Sequence, residues 1–88
     1  MDQQIQELLD RSQKLFNRFQ IVYEKKGKLS IEMMDCIYNL QRIKISVNYR
    51  KKDIGFSNKD ITAIDEICRM TVEAEKMVRE LQIVKKKS

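Results

Sequence analysis

Few residues in this chain of 88 carry the chemistry of catalysis or metal binding, and their spacing keeps them apart. There is no His, which removes the usual general base, the Ser-His-Asp and Cys-His arrangements, and the imidazole zinc ligand together. Cys36 and Cys68 are too few to hold a structural metal alone. Gly27 and Gly55 stand singly, so no glycine-rich loop can cradle a phosphate. Asp65 and Glu66 are neighbours in sequence and point in different directions on a helix, which gives no acid/base pair. The chain reads as non-catalytic, without cofactor or metal.

The remaining chemistry is charge. Eighteen Lys and Arg against thirteen Asp and Glu give a net charge of +5. That excess suits nucleic acid, an anionic membrane surface or an acidic protein without selecting among them. Its distribution is more informative. Residues 36–52 contain no acid and carry Arg42, Lys44, Arg50, Lys51 and Lys52, while Lys85, Lys86 and Lys87 form a second cluster. Residues 57–80 run the other way, with four bases and six acids. The basic segment can dock phosphate, lipid headgroups or an acidic protein, or it can be a solvated helix end whose cations favour the dipole. Lys85, Lys86 and Lys87 supply about 1 kcal/mol each at an anionic membrane, too little for stable attachment. DNA readout needs a short recognition helix. Ser57, Asn58 and Lys59 begin a long one whose middle is acidic, so nucleic acid is disfavoured.

Three amphipathic elements position these residues. Ile5, Leu9, Phe16, Phe19 and Tyr23 recur at steps of three and four, with Ser12 filling one gap, and predict a helix over about residues 2–26. Lys25, Lys26, Gly27 and Lys28 suit its end. Ser30 is a good N-cap for a second helix over about 30–52, through Met33, Ile37, Leu40 and Val47, with Met34 and Tyr38 beside that stripe. Ile43, Ile45, Val47 and Tyr49 also alternate in the manner of a short strand. Helix is preferred, because no partner strand is evident elsewhere. Ser57 followed by Asp60 resembles a capping box, and Phe56 is placed to staple onto Ile61. A third helix then runs over about 58–84 through Ile64, Ile67, Thr71, Ala74 and Val78.

The expected fold is all-α, a single domain over 1–88 built as an antiparallel up-down bundle of three long helices, with a fourth if the second breaks near Leu40. Folding the second helix against the third places Cys36 opposite residue 73 rather than Cys68, an offset of roughly 7 Å. No intrachain disulfide is expected. Both cysteines read as small buried hydrophobes. No apolar run approaches the roughly 20 residues of a membrane span, so a cytoplasmic protein is expected, as a monomer or weak homodimer.

Residues 36–76, CIYNLQRIKISVNYRKKDIGFSNKDITAIDEICRMTVEAEK, resemble the second half of the immunity proteins that protect Gram-positive bacteria from pediocin-like bacteriocins. The likeness lies in a helix rich in Asn, Arg, Ile and Tyr, a basic turn at Arg50, Lys51 and Lys52 leading to Phe56, Ser57 and Asp60, and a long closing helix. The resemblance implies a small basic helical bundle without enzymatic activity. It also implies action from inside the cell, peripheral to the membrane, on a bacteriocin-bound sugar transporter of the mannose phosphotransferase type. The residues it nominates for partner binding are Arg42, Arg50, Lys51, Lys52 and Phe56, with the outer face of the third helix. The alternative is a small helical regulator or interaction module, phage- or plasmid-borne, that binds an intracellular protein.

Overall fold

The computed structural model describes residues 3–26, 29–50 and 57–87. Lys51, Lys52 and Phe56 lie outside the described residues, as do the side chains of Lys85, Lys86 and Lys87. Three helices, α1 (Gln3–Lys26), α2 (Ile31–Arg50) and α3 (Asn58–Lys87), each pack against the other two, and no strand occurs among the described residues. The protein is an all-α three-helix bundle measuring 50 × 19 × 17 Å. Its long dimension is close to that of α3, whose 30 residues rise about 45 Å. No described helix is long and apolar enough to cross a membrane.

Local chemistry starts α2 and α3 where the sequence expects. The Met33 amide donates to Ser30 Oγ at 3.3 Å, so Ser30 satisfies a first-turn N–H that has no helical partner. At α3 the exchange is reciprocal. The Asp60 amide donates to Ser57 Oγ at 3.3 Å, and the Ser57 amide donates to Asp60 Oδ2 at 3.0 Å. This is a capping box in which Asp replaces Glu, and it buries Asp60.

The core forms two clusters. Phe16, Phe19 and Val22 of α1 meet Met33, Cys36, Ile37 and Leu40 of α2 and Met70, Ala74 and Val78 of α3. Toward the other end, Ile5 meets Ile43 and Val47, and Ala63, Ile64 and Ile67. The first half of α1 therefore shares a cluster with the second half of α2 and the first half of α3, which makes the bundle up-down-up. Phe16 stacks on Phe19 with ring centres 6.5 Å apart, and Phe19 tilts against Tyr23 at 6.0 Å. Full burial of each large side chain contributes about 1.5 to 3 kcal/mol, so these clusters supply most of the driving force.

Helix α2 is unbroken through Leu40, so a fourth helix does not form within it. The strand-like alternation is resolved by burial. Ile43 and Val47 are buried, whereas Ile45 and Tyr49 are exposed. Residues four apart share a face of a helix, so a period of two is here two i,i+4 pairs on opposite sides of one helix. Met34 and Tyr38, read from sequence as flanking the core stripe, are likewise exposed.

Candidate functional site

The site grows from the antiparallel packing of α1 on α2. That packing brings Gln4 beside Arg50, whose guanidinium donates to Gln4 Oε1. From this contact a groove runs along the α1–α2 seam. Its first section, about 380 Å³, is lined by Gln4, Glu7, Leu8, Arg11 and Arg50. The adjoining section, about 500 Å³, shares Leu8 and Arg11 and adds Leu15, Asn39, Arg42, Ile43 and Ser46. Three guanidiniums thus stand over an apolar floor with one carboxylate, Glu7, among the lining residues.

Further along the same helix pair, Lys14, Arg18 and Lys25 surround Ile21 and Val22, with Glu32 contributed by α2. Arg11, Lys14, Arg18 and Lys25 repeat at steps of three, four and seven, which keeps them on one side of α1. The α1–α2 face is consequently basic. The outward residues of α3 are of mixed sign, with Asp65, Glu73 and Glu80 exposed alongside Lys59, Arg69, Lys76 and Arg79.

Arg42 and Arg50 of the residues nominated from sequence therefore meet in one groove. Arg42 is exposed, and its guanidinium carbon lies 5.7 Å from the centre of the Tyr38 ring, within cation–π range. Arg11 is not among the residues nominated from sequence. Its contribution to the groove is visible once α1 packs antiparallel to α2, which sets the first turns of α1 beside the last turns of α2.

The ionisable groups elsewhere have ordinary structural explanations. Glu66 accepts from Arg69 Nε at 3.0 Å and from a second guanidinium nitrogen, and that hydrogen bond holds its carboxyl below the usual 4.5. Both cysteines are free thiols. Burial pushes the Cys36 thiol above 9.0, which opposes thiolate formation. Cys68 is half-buried, and its Sγ lies 3.4 Å from Asn48 Oδ1. Among the described residues no cluster of His, Cys, Asp or Glu is placed to hold a metal.

What this site can do is bind. An open, arginine-lined groove offers forked donors to carboxylates or phosphates, and its Leu8, Leu15 and Ile43 floor offers apolar contact to whatever carries them. Comparison of the chain with protein-family models, with curated proteins and with solved structures returns no match.

Proposed function

We propose that this chain is a non-catalytic immunity protein of the pediocin-like bacteriocin class, acting at the bacteriocin-bound membrane transporter. The observation that carries the reading is the convergence of Arg11, Arg42 and Arg50 on one α1–α2 groove. Two of these arginines fall in the stretch that resembles the immunity family. The mechanism is occupancy. The basic face engages an acidic surface on the cytoplasmic side of the transporter complex and holds it in a state that does not leak. No bond is made or broken.

Arginine is suited to this work because its planar fork pairs bidentately with carboxylates and stays charged at any physiological pH. Expressing the chain in a sensitive strain and challenging it with a panel of pediocin-like bacteriocins tests the reading. Protection against at least one member is the expected outcome; unchanged killing across the panel contradicts it. A small regulator binding a soluble intracellular protein is the second reading, favoured by the apolar surface that α2 leaves exposed. It predicts recovery of a soluble enzyme or polymerase subunit, without transporter, in a pulldown.

A further inference from the structure

Helix α2 is apolar on two opposite sides. One side supplies Met33, Cys36, Ile37, Leu40, Ile43 and Val47 to the core. On the other, Ile31, Met34, Tyr38, Ile45 and Tyr49 are exposed, Ile31 at 89%, Ile45 at 69% and Tyr49 at 78%. At 3.6 residues per turn these five fall within an arc of about 60°, opposite Leu40, and run for about 27 Å. Together they present on the order of 600 Å² of largely apolar side chain, at the upper end of what a monomer leaves in water.

We propose that this stripe is a homodimer interface, in which two copies pack α2 against α2 antiparallel about a two-fold axis beside Leu40. Three observations select a second copy as the occupant. The first is self-complementary spacing. Tyr38 and Arg42 are equidistant from Leu40 along the chain, as are Ile31 and Tyr49. Antiparallel pairing about Leu40 sets Tyr38 of each copy against Arg42 of the other, and Ile31 against Tyr49.

The second observation is charge. Beside the stripe, the first half of α2 carries the acid Asp35 and the second half carries Arg42, both exposed. An antiparallel pair places acidic halves against basic halves, whereas a parallel pair stacks like charges. An anionic bilayer is a poorer occupant, because the acidic half of the rim would face its headgroups. The third is area. Two such stripes bring together about 1,200 Å², the lower edge of stable interfaces, which fits a dimer of modest affinity.

The pairing has a consequence for the basic face. A two-fold axis perpendicular to both α2 helices keeps each α1 on the same side, so the two arginine grooves share one face of the dimer. The dimer itself stands on α2 alone and does not depend on the immunity reading.

Sedimentation equilibrium of the full chain, from micromolar to near-millimolar concentration, is the test. The expected result is a reversible monomer–dimer equilibrium whose Kd rises about a hundredfold in Ile45→Glu, with unchanged helicity by circular dichroism. Tyr49→Glu serves as a second exposed-site variant with the same expected direction. Asp35→Arg and Arg42→Asp should each weaken the dimer about tenfold, and the two combined should restore it to within a few-fold. A wild-type chain that stays monomeric at every concentration overturns the proposal. So does a dimer indifferent to both Ile45→Glu and Tyr49→Glu. A monomer that partitions onto phosphatidylglycerol vesicles through Ile45 also overturns it, and gives the face to the membrane.

Discussion

Arg42 and Tyr38 sit one turn apart on the side of α2 that faces away from the core, with the guanidinium carbon 5.7 Å from the ring centre. The ring restrains a long cationic side chain at the mouth of the groove and so reduces the entropy lost when a partner binds. An exposed cation–π contact contributes about 0.5 to 1 kcal/mol. Arg42→Gln should therefore lower stability in urea by no more than about 1 kcal/mol while removing a groove charge. A loss several times larger would mean that Arg42 holds the fold rather than presenting a binding group.

Two hydroxyls, Ser12 and Thr71, are buried, and they differ in their partners. Thr71 Oγ1 donates to the Ile67 carbonyl at 2.9 Å and leans toward the Leu40 carbonyl at 3.4 Å, tying α3 to α2. Ser12 Oγ is buried without a hydrogen-bond partner. An unmade buried hydrogen bond costs about 1 to 3 kcal/mol. Ser12→Ala is accordingly expected to stabilise the bundle by about 1 kcal/mol, raising Tm by roughly 4 to 8 °C. Calorimetry showing a lower Tm would mean that the hydroxyl is satisfied in solution.

The cysteines should separate in a thiol-titration experiment. Cys36 is buried and its pKa is raised by desolvation, so it should react only on unfolding, whereas half-buried Cys68 reacts in the native state. One fast thiol in the wild type and none in Cys68→Ser is the expected pattern. The raised pKa also has a sign in the stability profile. The folded state keeps the Cys36 proton to higher pH than the unfolded chain, so this contribution is intact below 9.0 and is lost as pH rises above it. Equal reactivity of the two thiols in native buffer would contradict the packing around Cys36.

Helix existence and caps were legible in the chain because they are local. Ser30, Ser57 and Asp60 make the capping contacts that their positions imply. The period of α1 and α3 likewise identifies Phe16, Phe19, Ile64 and Ile67 as core. What the chain concealed is the two-sidedness of α2. Ile45 and Tyr49 continue the hydrophobic pattern on the far side of the helix, and that second stripe imitates a strand and hides the true period. The groove was half legible. Arg42 and Arg50 stand out as cations in an acid-free segment, but Arg11 joins them only through the antiparallel packing of α1 on α2, which local spacing does not encode.

In the proposed function the α1–α2 arginines protect a cell by contacting a partner rather than by chemistry. The most direct measurement is survival of a sensitive strain under pediocin-like bacteriocin when it expresses the wild-type chain or the Arg11→Glu, Arg42→Glu, Arg50→Glu triple variant. Protection by the wild type is expected. Protection should be lost in the triple variant, which should stay expressed and helical because Arg11 and Arg42 are exposed and Arg50 is only half-buried. Protection that survives the triple reversal, or a wild-type chain that protects against no bacteriocin in the panel, would contradict it.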